Sequence, residues 1–90
     1  MVQKTVSIKN RLGLHARAAS LFVQVANKFQ AEIRVKKFRK PIEVNGKSIM
    51  GIIMLAAIQG EKIIIKAKGR DARLALQELV ELIENKFGED

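Results

Sequence analysis

Eleven consecutive residues, NRLGLHARAAS from Asn10 to Ser20, hold the only histidine of the chain at the point where a polar turn becomes an apolar helical run. His15 follows a glycine that permits a sharp turn, so its ring lies over the unpaired N–H groups of a helix's first turn. Such a terminus attracts anions, favours the neutral, nucleophilic ring, and would stabilise a phosphoryl group carried on it. Arg17 adds a planar fork that matches phosphate oxygens. Together, His15 as covalent acceptor and the Ala16 and Arg17 N–H groups as a cradle could hold a phosphoryl group. The competing reading on these residues alone is an exposed loop histidine beside a solvated helix charge, because such neighbours are common at helix starts.

The elements that must position this stretch can be read from periodicity. VQKTVSIK sets Val2, Val6 and Ile8 against Gln3, Thr5, Ser7 and Lys9, a period of two that predicts a strand with one wet face. AEIRVKK repeats the pattern through Ala31, Ile33 and Val35, and EKIIIKAK repeats it through Ile63, Ile65 and Ala67. A shorter strand is expected at Ile42–Val44, between Pro41 and the turn signal Asn45-Gly46. Ala18, Leu21, Phe22, Val25, Ala26 and Phe29 recur at helical steps and predict one buried stripe. A last helix should start after Gly69 with Asp71 as N-cap, bury Ala72, Ala75, Leu76, Leu79, Leu82 and Ile83, and run to about Phe87. Ser48 can cap a short middle helix, SIMGIIML, whose apolar residues go nearly all round, so that one face should stay exposed.

The order is βαββαβα, and each strand with a readable alternation has one apolar and one polar face. Helices must then cover one side only. The expected fold is an α+β open-faced sandwich, a mainly antiparallel four-stranded sheet with three helices on its apolar face. Residues 1–90 should form a single domain with one modest core. Lys9, Arg34, Lys36, Lys62, Lys66 and Lys68 are expected on the bare face.

Composition narrows the function classes. With no cysteine and one histidine, neither a thiolate metal site nor an imidazole cage can form. The longest uncharged apolar stretch, Ser48–Gln59, falls short of the ~20 residues of a membrane span, which points to a soluble, cytoplasmic protein. The net charge of +8 favours acidic partners without choosing among them. A nucleic-acid module is disfavoured, because base stacking needs sheet-borne aromatics and only Phe38 lies near the end of a strand.

GLHARAAS resembles the active-site signature of the histidine-containing phosphocarrier (HPr) family of the phosphoenolpyruvate-dependent sugar phosphotransferase system. VNGKSIMGIIML is similar to that family's second signature, and the element order matches its open-faced sandwich. The resemblance implies that His15 takes a phosphoryl group on Nδ1 from enzyme I and passes it to the IIA component of a sugar permease. Arg17 would bind the phosphate, no cofactor would be needed, and the protein would have no turnover of its own. Ser48 falls on the serine phosphorylated in many members by an HPr kinase/phosphorylase, and Ile49, Met50 and Ile53 align with the patch on which partners dock. Two departures stand out: Ala18 replaces a proline common after the arginine, and FRKPIEVNGK is slightly longer than usual. The alternatives are a regulatory phosphorelay of the nitrogen type and an adaptor read through phospho-Ser48.

Overall fold

In the computed structural model, which describes residues 1–89, the alternating segments form β1 (Val2–Ser7), β2 (Glu32–Lys37), β3 (Glu43–Asn45) and β4 (Lys62–Lys68). They make one sheet in the order β1-β4-β2-β3, with every neighbouring pair antiparallel. Three helices accompany it: α1 (Ala16–Ala26), α2 (Ile49–Leu55) and α3 (Ala72–Glu84). α3 lies on β1 and β4, α2 lies on β2 and β3, and α1 packs against both other helices. The inward residues Val6, Ile33, Val35, Ile63, Ile65 and Ala67 are buried as the period of two requires.

The bare face is less basic than its lysines suggested. Lys66 is paired with Glu43, and Arg34 Nε stands 3.9 Å from Glu32. Lys9 is not on that face at all, because the strand ends at Ser7 and the lysine turns to Glu84 of α3 at 3.3 Å. The third strand is shifted by one residue: pairing begins with Glu43 opposite Lys36, so Ile42 is left outside and exposed.

The α1 stripe is rotated from its expected position. Ala19 and Val23 are buried with Ala18, Phe22 and Ala26, whereas Leu21 and Val25 are only partly covered. The neighbours explain this, since α2 and α3 flank α1 on two sides and small residues at 18, 19 and 26 allow close approach. Phe29 is buried as expected but lies beyond the end of α1. In α3 the core positions are Ala72, Ala75, Leu79 and Ile83, with Leu76 and Leu82 half-buried.

Asp71 occupies the N-cap position of α3 without capping it. Its carboxylate instead accepts hydrogen bonds from the backbone N–H groups of Gln30 and Ala31, each at 2.9 Å, and ties α3 to the start of β2. The helix stops at Glu84 rather than near Phe87. Lys86 and Phe87 then take positive φ angles of 57° and 55°, and the chain folds back so that the Phe87 ring is buried. Left-handed backbone costs about 1–2 kcal/mol per residue and burying a Phe returns about 1.5–3 kcal/mol, so the turn is close to balanced. Further contacts must hold it.

The stretch before His15 is fixed by backbone. Ile8 N–H donates to Glu61 O at 2.8 Å, Gly60 N–H to Ile8 O at 2.8 Å, and Leu14 N–H to Ala57 O at 2.9 Å. Asn10 is fully buried and its side-chain amide donates to Gly13 O at 2.8 Å, which closes the turn from within. Gly13 has φ +67°, and a Cβ there would stand 2.6 Å from Ala57 O. Gly13→Ala should therefore destabilise the fold by about 2 kcal/mol or more in urea denaturation. Gly60→Ala, with φ +90° and nothing within 4 Å of the new methyl, should cost only the backbone strain, about 1 kcal/mol.

Candidate functional site

His15 is the N-cap residue of α1, with extended backbone (φ −78°, ψ −179°) and a carbonyl that accepts from Ala19 N–H at 2.8 Å. Its side chain does not cap the helix, and the first turn carries no acidic residue. The N–H groups of Ala16 and Arg17 are thus left without a side-chain cap at the positive end of an eleven-residue helix. Ala18 stands at the third helical position and is fully buried, so its methyl group is packing that anchors this turn.

One participant was not legible in the sequence. Glu89, from the turned-back C-terminal segment, places Oε1 2.8 Å from His15 Nε2 and 3.1 Å from Arg17 Nη1. Arg17 Nη1 also donates to Phe87 O at 3.1 Å. These contacts complete the holding of the strained turn. No local pattern predicts a bridge spanning seventy-four residues; the only signal was an acidic residue at the far end of a basic chain.

The Glu89 carboxyl is held below its ordinary range, first by its hydrogen bond with His15 and then by the nearby charges of His15 and Arg17, against an opposing effect of burial. It is ionised at neutral pH and can only accept a hydrogen bond, so the Nε2 it contacts must carry a proton. In the neutral ring Nδ1 is then the nitrogen with a free lone pair. The arrangement can do nucleophilic chemistry at Nδ1 while a carboxylate balances charge at Nε2.

The expected residues are not all brought together. Arg17 is adjacent to His15, but its guanidinium is engaged with Phe87 and Glu89 rather than free. Ser48 caps α2 as expected, its Oγ accepting from Gly51 N–H at 3.0 Å. Its neighbour Lys47 reaches past the C-terminal end of α1, the end away from His15, where Nζ donates to Phe29 O at 2.6 Å. Eleven helical residues, roughly 16 Å, separate the two ends. Ile49 and Met50 are exposed and Ile53 is half-buried against the core. Leu12, Met54 and Ile58, not expected in that patch, are exposed as well. Among the described residues no group of acidic, histidine or cysteine side chains could hold a metal, and no helix is long and apolar enough to cross a membrane.

Over residues 2–85 the chain matches the family described as "PTS HPr component phosphorylation site". It is 46% identical over 90 residues to the phosphocarrier protein HPr of Xylella fastidiosa (strain Temecula1), covering 100% of this chain and 99% of that one. The crystal structure of HPr-C-His from Thermoanaerobacter tengcongensis superposes with a TM-score of 0.92 at 51% identity, covering 100% of this chain and 99% of its own. The HPr-like protein Crh of Halalkalibacterium halodurans is 45% identical over 84 residues, 93% of this chain and 98% of that protein. The class so defined is the phosphocarrier, which ferries a phosphoryl group rather than catalysing a turnover of its own. The chain belongs to the HPr family of the phosphotransferase system.

The contact between His15 and Glu89 makes a titration prediction. Because the imidazole hydrogen bond is the foremost cause of the depressed Glu89 carboxyl, His15→Ala should move its acid titration upward, toward the ordinary ~4.3 of glutamate. Side-chain ¹³C NMR of Glu89 across acid pH reads this directly. In the unaltered protein, the clasp should persist as pH falls through the ordinary range and open only at the lower value. An unmoved midpoint in His15→Ala would show that the bridge does not form in solution.

Proposed function

We propose that His15 is the phosphorylated residue and that Nδ1 is the attacking atom. The observation that carries this reading is the Nε2 contact with Glu89, which leaves the Nδ1 lone pair free beside the uncapped first turn of α1. Nδ1 attacks the phosphorus of a phosphoryl group held by phospho-enzyme I, and the donor's bond to phosphorus breaks in line as the new N–P bond forms. Nε2 keeps its proton, and the positive charge of the phosphorylated ring is balanced by Glu89. Reversal of the same geometry toward the IIA component of a sugar permease releases the group. The N–H groups of Ala16 and Arg17 support the phosphoryl oxygens, and Arg17 joins them after leaving Phe87 O and Glu89. In this reading residues 1–90 act as one domain in the cytoplasm.

The test is incubation with phosphoenolpyruvate and enzyme I, followed by assay of an acid-labile, base-stable phosphate. His15→Ala should lose the label completely while keeping its circular dichroism, because a partly exposed ring that does not cap its helix contributes little to packing. Arg17→Ala should slow labelling by roughly tenfold or more without abolishing it, since the backbone donors remain. A labelled His15→Ala protein would refute the assignment.

Ser48 is proposed as a regulatory phosphorylation site for an HPr kinase/phosphorylase, and Ile49, Met50 and Ile53 as part of the partner-docking face. The Crh relative favours a second reading, an adaptor whose output runs through phospho-Ser48, and the nitrogen-type phosphorelay stands beside it because Ala18 departs from the sugar-type pattern. Label passed on to a IIA component discriminates sugar uptake from both. A phosphate on Ser48 adds about −1.5 to −2 charges next to Ile49 and Met50, which an acidic partner must approach. Phosphorylation of Ser48 should therefore lower the rate of His15 labelling by enzyme I while the helix signal in circular dichroism stays constant. Equal rates would reduce Ser48 to a helix cap, and loss of helix signal would replace the docking mechanism with unfolding.

A further inference from the structure

Between the β2–β3 connection and the last turn of α2 runs a groove of about 330 Å³. Val44 and Leu55 form its floor, Pro41, Ile42 and Met54 its walls, and Lys37 and Lys40 its rim. Ile42 and Met54 are each 73% exposed, the value expected of surface charges rather than of large apolar side chains. The one-residue shift of β3 is what leaves Ile42 out of the ladder and on this wall.

We infer that this groove binds an acidic, apolar segment of a partner protein, with apolar side chains seated between Ile42 and Met54 and a carboxylate on Lys40. Charge selects the occupant. The end of β2 and the connection carry Lys37, Arg39 and Lys40 in four residues, with the Phe38 ring 5.2 Å from the Arg39 guanidinium and 5.8 Å from Lys62 Nζ. The carboxylates nearest to it are already committed: Glu43 to Lys66, and Glu61 to Lys37 at 3.4 Å and to Ile58 N–H at 2.8 Å. Lys40 has no ion-pair partner among the described residues. A second copy of the chain fits poorly, since at a net charge of +8 it would bring two basic rims together. A flat membrane surface would not reach the floor formed by Val44 and Leu55.

The shape of the connection is fixed in advance. Arg39 holds φ +66°, and Lys40 N–H donates to Lys37 O at 3.1 Å, so the rim is set by a strained turn rather than left to rearrange. The α2 side of the groove ends close to the His15 loop, because Met54 and Leu55 lie just before Ala57, whose carbonyl receives Leu14 N–H. A protein docked over His15 could reach it. The proposal rests on the phosphocarrier reading only for which partner brings the segment, and the binding itself involves no phosphoryl transfer.

The experiment is a methyl NMR titration of the full chain, labelled at Met and Ile, with a synthetic amphipathic peptide of leucine and glutamate. A counterpart with lysine for glutamate serves as the comparison. The Ile42 and Met54 methyl signals should move saturably with the glutamate peptide and stay in place with the lysine peptide. Ile42→Ser should weaken binding about tenfold and Lys40→Glu about threefold or more, the latter difference shrinking as salt is raised. Both side chains are exposed, so neither variant threatens the fold. Equal response to the two peptides, or unchanged affinity in both variants, would overturn the proposal. So would groove signals that move with protein concentration alone, which would assign the face to self-association, or that respond to phosphatidylglycerol vesicles and not to the peptide. Because no enzyme I is present, failure here leaves the His15 labelling result standing, and failure of that labelling leaves this one standing.

Discussion

His15 can face solvent in a defined orientation because the chain just before it is tied by its backbone to the segment between α2 and β4. Three bonds, among Ile8, Gly60, Glu61, Leu14 and Ala57, make that tie, and the closest approach is at Gly13. A side chain there would push the loop off Ala57 and move the start of α1 with it. Backbone contact serves better than side-chain packing at this point, since a bond between peptide groups has no rotamer to lose. The helix start inherits the rigidity of the sheet through β1 and β4, which meet at Ser7 and Lys62 next to the loop. Even so, the loop is not saturated: Asn10 Oδ1 is buried with no protein partner. A buried amide with one donor used and its acceptor unmet costs stability, and its retention fits a turn whose shape matters more than its strength.

The C-terminal turn works differently. Phe87 burial is offset by two residues in left-handed backbone, so the turn depends on Arg17 and Glu89 for its remaining hold. Those same side chains sit at the histidine. A phosphoryl group on His15 would compete with Glu89 for Arg17, and a segment close to balance yields at small energetic cost. A firmly packed terminus would have kept the guanidinium. The polar link and the marginal turn therefore depend on each other, and under the proposed function Glu89 would occupy, in the unphosphorylated protein, the place that an incoming anion would take.

Most of the fold was legible because one-sided burial writes itself into the sequence as a period of two or of 3.6. β4 illustrates this, since Ile63, Ile65 and Ala67 could only point one way. Where position depended on neighbours, the reading slipped. The α1 stripe turned toward Ala19 and Val23 because two flanking helices, invisible in a single segment's periodicity, widened the buried arc. β3 shifted because a three-residue strand has too few alternations to fix its register. α3 ended early because periodicity cannot distinguish a helical Phe87 from one that is buried by folding back. Of the candidate site, the position of His15 and Arg17 at the start of α1 was legible from local pattern, namely a glycine turn followed by a helix start. Glu89 was not, because its role is created by tertiary contact alone.

Distance governs how Ser48 can speak to His15. His15 starts α1 while Lys47, next to Ser48, reaches past its C-terminal end, and α1 runs between these ends as a continuous, well-buried helix with no second arrangement in view. A charge added at Ser48 is screened over a Debye length of about 8 Å at physiological salt, half the span of the helix. Its field at Nδ1 is therefore small compared with that of Glu89 in direct contact. Coupling through the fold would need a bistable element, and the tight alanine contacts of α1 argue against one. What the two ends do share is exposed surface: Ile49 and Met50 beside Ser48, then Met54, then Ile58 and Leu12 beside the histidine loop. Under the proposed function, an influence of Ser48 on phosphoryl transfer would then be exerted at the surface where a partner docks rather than through the interior of this protein.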